Sequence, residues 1–250
     1  MPDLATLAVA ALGVFLIAFM RGAFGGGFAI IGIPLLSLVL DPISAGAVLA
    51  PMFIAMDVVA LRYWTPGTWS MPDVVRLVPA SLVGIALGFL LMRALDPRLI
   101  AIAIALVTLL FAAHWFAGGG TPQARPRSTA KALVWGTAGG VTTMVAHSGG
   151  PPIAMYLLPL GLPKAVYAGT TSIVFTAINL AKTGPWLALG RPDRAMWVLM
   201  ALSLPMVPLG IHAGWLLHER LDQRRMYRAC YGLLVVTAAK LLGDGVRGFL

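Results

Sequence analysis

The sequence predicts an all-α, polytopic membrane protein made of two homologous halves. Of its 250 residues, 59% are hydrophobic and only 11% are charged, and the mean hydropathy is +0.89. A soluble domain carries about twice that share of charged residues, so the composition excludes an ordinary soluble chain and a disordered one. The single cysteine leaves no intrachain disulfide to form and excludes a thiolate metal cluster.

The net charge of +9 comes from 18 Lys and Arg against 9 Asp and Glu. In a soluble domain this excess would indicate nucleic acid as a partner. In a chain this apolar it is typical of cytoplasmic loops and of attraction to anionic lipid, so we expect membrane lipid and not nucleic acid. The first apolar stretch follows no basic region, which predicts a retained membrane helix instead of a cleaved signal peptide.

The apolar stretches form one series of five and then the same series again. A hydrophilic linker rich in Gly, Pro and basic residues, 118–131, separates the two series. We therefore predict an N-terminal membrane repeat over 1–117, a cytoplasmic linker, and a C-terminal membrane repeat over 132–250. The stretches are Leu4 to Met20, Phe28 to Leu40, Ile43 to Leu61, Leu77 to Met92 and Leu99 to Phe116, then Ala132 to Ala146, Pro151 to Leu160, Ala165 to Trp186, Ala195 to Leu217 and Ala229 to Leu242.

Matched residues in a common order indicate an internal duplication. A shift of 122 positions pairs identical or similar residues, and a shift of 126 pairs two glycines with two glycines. The pairs are Phe53 with Phe175, Asp57 with Asn179, Trp64 with Trp186, Gly84 with Gly210 and Gly88 with Gly214.

The basic residues predict how the halves are oriented. If every short stretch crosses the membrane, eleven Lys and Arg fall on one side and five on the other, whereas re-entrant loops would divide them evenly. The positive-inside rule therefore favours ten crossings, inverted 5+5 repeats and both termini outside the cytoplasm. The eleven are Arg21, Arg62, Arg76, Arg125, Arg127, Lys131, Lys164, Arg220, Arg224, Arg225 and Arg228, and the five are Arg93, Arg98, Arg191, Arg194 and Arg247.

Two glycine-rich turns are expected within the membrane depth. Residues 4–40 supply about 55 Å of helix and residues 132–161 about 45 Å, against roughly 60 Å for two crossings of a 30 Å core. The helices should therefore be short and broken at the turns, where irregular backbone must be buried or must line a wet cavity. The turns comprise Gly25, Gly26 and Gly27 in the first half, and His147, Ser148, Gly149 and Gly150, followed by Pro151 and Pro152, in the second.

Each turn precedes a short apolar stretch and so presents free backbone N–H groups at the start of a helix. These donors and the helix dipole favour a carboxylate, sulfonate or sulfite, and glycine lets the ligand approach closely. The alternative is that the small residues only allow helices to pack closely. We predict a substrate site that includes both turns.

The stretch after the second turn adds polar candidates. Thr170, Thr171 and Ser172 either face the substrate or bond back to their own helix. Asn179 lies about two turns beyond Ser172 and projects from the same face. Lys182 follows near that face, and either pairs with an anion in a cavity or extends to the membrane interface.

Asp57 is the carboxylate in the middle of an apolar stretch, at the position where the other half has Asn179. A charge there must be partnered, hydrated or protonated. Arg62 is a candidate partner, although a spacing of five residues fits one helix face poorly. Protonation in step with substrate movement would make Asp57 a coupling residue, and His147 is the best candidate among the histidines.

At these positions the sequence resembles the TauE/SafE sulfite exporter family, also called TSUP. The resemblance rests on RGAFGGGFAIIGIPLL, on AHSGGPPIAMYLLPLGLPKAVYAGTTSIVFTAIN and on the two-half architecture, and it covers nearly the whole chain. It implies a membrane carrier of sulfite, sulfoacetate and related organosulfur anions. The residues in motif positions are Gly26, Gly27, Gly149, Gly150, Pro151, Gly169, Thr171, Ser172 and Asn179. His147 and Ser148 before the glycines, and Pro151 and Pro152 after them, depart from the more glycine-rich form of that turn, which leaves the transported anion open.

We expect a secondary transporter of a small organosulfur or sulfur oxyanion in the cytoplasmic (inner) membrane, coupled to protons and working by alternating access. The chain has no G-x-x-x-x-G-K-[ST] loop, so an ion gradient or the substrate's own gradient must drive transport. The alternatives are an anion channel or, with only His147 beside Ser148 to suggest it, an intramembrane enzyme. No cofactor, metal site or catalytic residue is predicted, and the direction of transport and the oligomeric state stay open.

Overall fold

The fold is an α-helical bundle, as the composition predicts. The computed structural model describes residues 3–26, 35–36, 38–91, 97–117 and 124–247, and it is 85% helical, with no strand in these ranges. Short 3-10 turns lie at Pro66–Thr68 and Leu158–Leu160. The helices described are α1 (Leu4–Phe24), α2 (Pro42–Ala60), α3 (Met71–Leu91), α4 (Pro97–Ala117), α5 (Thr129–Ala146), α6 (Gly150–Leu157), α7 (Lys164–Gly190), α8 (Arg194–Ser203), α9 (Met206–Arg220) and α10 (Gln223–Arg247).

Several helical segments are long and apolar enough to cross a membrane. In the described residues these are 4–24, 43–60, 71–91 and, with α8 and α9 taken together, 194–220. Aspartates mark where three helices begin, because each carboxylate accepts hydrogen bonds from the first turn. Asp3 caps α1, Asp41 caps α2 and Asp193 caps α8.

The halves interleave, because helices of one half pack against helices of the other. The main contacts are α1 with α9, α3 with α5, α2 with α7 and α4 with α10. The contact of α1 with α9 and the contact of α3 with α5 join matched positions of the two halves. A Cβ at Gly84 would overlap α5 at Thr137 and Gly140, and one at Gly210 would meet α1 at Phe15 and Ala18. The α1 positions are those of α5 shifted by 122, so both halves build this contact in the same register.

Equivalent helices run antiparallel where they meet. Along α7 the partners on α2 come in reverse order: Asn179 contacts Asp57, Trp186 contacts Gly46, and Gly190 lies against Ile43. The contact of α4 with α10 reverses in the same way. Phe111 and Trp115 stack on Tyr231, while Ala105 packs against Ala238.

Helices α5 and α6 form a hairpin that returns to the end of the bundle where it starts. His147 ends α5 in the left-handed region, at φ 49°, and α6 begins three residues later. After α6, the Pro159 carbonyl accepts a 2.8 Å hydrogen bond from the Arg125 amide in the linker. The stretch Pro151 to Leu160 therefore leads back to the linker end, which is the direction that the predicted order of segments gives it. That it crosses the whole membrane stays a prediction.

The end of the linker is described, whereas much of the second apolar stretch of the first half is not. Helix α5 begins at Thr129, capped by Ser128, three residues before the predicted start of the second repeat. The matching stretch of the first half, Phe28 to Leu40, lies mostly outside the described residues. Leu35 and Leu36 are described, and they pack beside Gly13, halfway along α1.

Candidate functional site

A small cavity lies in the centre of the bundle, between α1, α2, α5 and α7. Its volume is about 10 Å³, which is about the space that one water molecule needs. The walls combine two cations, three polar side chains and two aromatic rings. They are Arg21, Lys182, Thr143, His147, Asn179, Phe53 and Phe175.

One side of the cavity is an ion pair between two helices of the first half, to which a residue of the second half is hydrogen-bonded. The guanidinium of Arg21, on α1, contacts the Asp57 carboxylate on α2, and both side chains are almost fully buried. The Asn179 amide, on α7, donates a 2.9 Å hydrogen bond to the other carboxylate oxygen. Asp57 and Asn179 are the matched residues of the two halves, so the equivalent positions face each other here. The predicted partner of Asp57, Arg62, is not its partner; Arg21 is.

The opposite side is built around Lys182. Its ammonium lies 2.8 Å from Nδ1 of His147 and 3.0 Å from Oγ1 of Thr143, and 4.6 Å from the centre of the Phe53 ring. Nε2 of His147 is 3.3 Å from the Gly46 carbonyl. Since a carbonyl can only accept and an ammonium can only donate, the ring fits as the neutral tautomer with its proton on Nε2. Lys182 therefore points into the interior and does not reach for the interface.

The cavity has more positive than negative charge. At their formal charges Arg21 and Lys182 contribute two positive charges and Asp57 one negative charge, and His147 in this tautomer contributes none. A buried charge without a counter-charge is costly, and a small anion between the two cations would supply it. Nε of Arg21 also has no hydrogen-bond partner among the described residues. The site is thus suited to an anion.

Both glycine-rich turns reach this cavity at one aromatic ring. Gly26, at φ 127°, lies against Phe175 and the Arg21 guanidinium, and Gly149 lies against another edge of the same ring. Gly25 ends α1 in the left-handed region, at φ 77°, which a residue with a side chain rarely adopts. Gly150 begins α6 and is buried. The structure therefore brings the two turns together, while Gly27 lies outside the described residues.

The hydroxyl groups of Thr170 and Thr171, on α7, have partners away from the cavity. Thr170 accepts a 2.8 Å hydrogen bond from the Ser70 amide before α3. Thr171 bonds back to the Tyr167 carbonyl in its own helix, at 2.8 Å. Neither residue lines the cavity. The hydroxyls of Ser172 and Ser148 are buried with no hydrogen-bond partner in the described part of the chain.

Sequence reasoning missed four residues of the site: Arg21, Phe53, Thr143 and Phe175. The apolar stretch before Arg21 ends at Met20, so the sequence places Arg21 in a cytoplasmic loop, but α1 continues to Phe24 and buries it. Its position four residues before the glycine turn was the available signal. Phe53 and Phe175 are a matched pair in the sequence, but the match itself gives no signal that both line one cavity.

A second polar cluster, also missed, lies at the linker end of the bundle. The buried Asp73 carboxylate, in the first turn of α3, accepts hydrogen bonds from Ser70 at 2.5 Å and from the Tyr156 hydroxyl at 2.8 Å. Nε of Arg127 in the linker lies 3.2 Å from both carboxylate oxygens. These contacts tie the linker and α6 to the start of α3.

The comparisons with known proteins identify one family. The sequence model of the family described as "Sulfite exporter TauE/SafE" matches residues 10–241. No curated protein and no solved structure matches the chain. Among the residues described here, no group of three or more His, Cys, Asp or Glu could hold a metal ion.

Proposed function

We propose, because the chain belongs to the TauE/SafE sulfite exporter family, that it is a secondary carrier of a small sulfur oxyanion or organosulfonate. Sulfite and sulfoacetate are the substrates that we favour. The carrier lies in the cytoplasmic (inner) membrane, with the linker on the cytoplasmic side. The substrate binds in the central cavity, between Arg21 and Lys182.

The observation that carries this proposal is the unbalanced charge of a buried cavity. An oxyanion accepts hydrogen bonds from ammonium and guanidinium groups, and such charge-assisted bonds are stronger than neutral ones. Gly26 and Gly149 pack against Phe175 at the edge of the cavity, and we propose that their backbone N–H groups add donors when the site opens. Thr143 and Asn179 supply further polar contacts at the same place.

The small volume of the cavity supports alternating access. An oxyanion is larger than the single water for which there is space, so the helices must separate to admit it. We infer that the halves are inverted repeats. Repeats related by an axis along the membrane normal would place equivalent helices parallel, whereas α2 and α7 are antiparallel, as are α4 and α10. Rocking of these helices would open the site to each side in turn.

We propose that His147 couples transport to protons. Its neutral ring accepts from Lys182, and an anion held beside both groups would favour a second proton on the ring. Asp57 is the other candidate, but both of its oxygens are already engaged by Arg21 and Asn179. A proton carried by Asp57 would first require this ion pair to open.

Flux of radiolabelled sulfite into proteoliposomes tests the proposal. We expect saturable uptake that responds to an imposed pH gradient, is lost in Lys182→Met, and is partly kept in Lys182→Arg. Arg194→Gln, which removes an exposed cation at the start of α8, is the control and should transport normally. Wild-type flux in Lys182→Met would refute the assignment of the site, and flux indifferent to the pH gradient would refute proton coupling.

The same experiment addresses the two alternatives. A channel would show flux that does not saturate and no exchange of internal for external substrate. An enzyme would need a base beside Ser148, but both ring nitrogens of His147 face other partners, the Gly46 carbonyl and Lys182. The geometry therefore favours a binding role for His147.

A further inference from the structure

A second, larger cavity lies at the linker end of the bundle, away from the central one. Its volume is about 220 Å³, and it lies between the linker, α4, α5 and α6. No residue lines both cavities. Its walls include Arg125, Lys131, Trp135, Phe111, Tyr156 and Leu160.

The cations at this cavity have no acidic partner in the described part of the chain. Arg125 and Lys131 are both exposed, and neither forms an ion pair there. The neighbouring Arg127 is different, because it is paired with Asp73. Two positive charges therefore remain available at the mouth of a cavity whose other walls are mostly apolar.

The surface beside the cavity is apolar and faces outward. Leu110 on α4 is 72% exposed, and Val134 and Leu133 on α5 are 61% and 49% exposed. On helices of a membrane protein such side chains contact acyl chains. Trp135 lines the cavity itself, and tryptophan is enriched where side chains meet the lipid headgroups. A ligand that matches this arrangement has an anionic head and apolar tails.

We propose that this cavity binds the phosphate group of an anionic phospholipid from the cytoplasmic leaflet. The phosphate lies between Arg125 and Lys131, and the acyl chains run along α4 and α5 past Leu110 and Val134. Free phosphate shares the charge but not the tails, so the apolar surface favours the lipid. Because Tyr156 also lines the cavity, the bound lipid contacts the α5–α6 hairpin from outside.

Native mass spectrometry of the purified protein tests this site, with phosphatidylglycerol and phosphatidylcholine as probes. Near an anionic lipid surface each Lys or Arg contributes about fivefold to affinity, so we expect Arg125→Gln/Lys131→Gln to bind phosphatidylglycerol roughly 25-fold more weakly. Phosphatidylcholine binding should not change. Arg224→Gln/Arg228→Gln, which removes two exposed cations of α10, is the matched control and should keep wild-type binding.

Three outcomes would overturn the proposal. The first is equal affinity of the wild-type protein for the two lipids. The second is an unchanged preference for phosphatidylglycerol in Arg125→Gln/Lys131→Gln, or in each single variant if the double variant does not fold. The third is displacement of phosphatidylglycerol by millimolar glycerol phosphate, which would indicate a site for free phosphate. None of these readouts depends on transport, so this proposal and the proposed function can fail separately.

Discussion

The buried ion pair between Arg21 and Asp57 gives the sharpest test of the structure. Asp57→Ala leaves the Arg21 guanidinium, 3% exposed, without its counter-charge. Removing one partner of a buried pair costs about 3–5 kcal/mol. The Asn179 amide loses its acceptor as well, which adds about 1 kcal/mol. In a chain of this length each kcal/mol lowers Tm by about 2–4 °C, so we expect a fall of about 8–24 °C.

The assay is thermal unfolding of detergent-purified protein, followed by tryptophan fluorescence. Arg21→Met should also be destabilised, because it leaves a buried carboxylate, while Arg21→Met/Asp57→Leu should recover most of the loss. Asp193→Ala removes an exposed helix cap and is the control, with a cost of about 1 kcal/mol. A Tm for Asp57→Ala within 2 °C of wild type, or a double variant as unstable as the single ones, would refute the pairing.

Three further predictions follow from contacts elsewhere. Lys182→Met removes a buried charge that has no counter-ion, so the Tm measured without anion should be unchanged or higher. The rise in Tm that added sulfite causes should disappear in this variant. A lower Tm without anion would contradict the argument from charge. Gly140→Ala places a methyl group against the backbone of α3 and should lower Tm by several degrees. Gly184→Ala has open space and should raise Tm slightly, so equal Tm values for the two would count against this packing. Tyr156→Phe removes a hydrogen bond to the buried Asp73 carboxylate, which should lower the free energy of unfolding by about 1.5–3 kcal/mol. Trypsin cleavage at Arg127, which contacts the same carboxylate, should become faster. An unchanged cleavage rate would argue against this contact between the linker and α3.

The sequence predicts the helical class and the matched halves because both leave a strong pattern in it. The apolar composition predicts helices that lie in a membrane. The residue pairs at shifts of 122 and 126 recur in the structure as equivalent contacts. The sequence predicts the break at His147 but not what α6 packs against, because hydropathy measures how apolar a stretch is and not its contacts. The path of α6 back to the linker depends on the turn at His147 and on the contact of Pro159 with the linker.

Part of the site is likewise predictable from the sequence, and part is not. Asp57, Asn179, Lys182 and His147 stand out because polar side chains are costly inside a membrane. Their partners are set by packing between helices far apart in sequence. Arg21 at the end of an apolar stretch reads as a loop residue, and only the approach of α2 to α1 shows that it is buried against Asp57.

The contact of Asp57 with Asn179 has a consequence for how such a protein can arise. Two identical subunits would place the same residue twice at this point. Two aspartates would repel each other there, and two asparagines would leave Arg21 with no carboxylate. Joining the copies into one polypeptide lets each evolve alone, so a single negative charge can occupy a place where symmetry would otherwise require two or none.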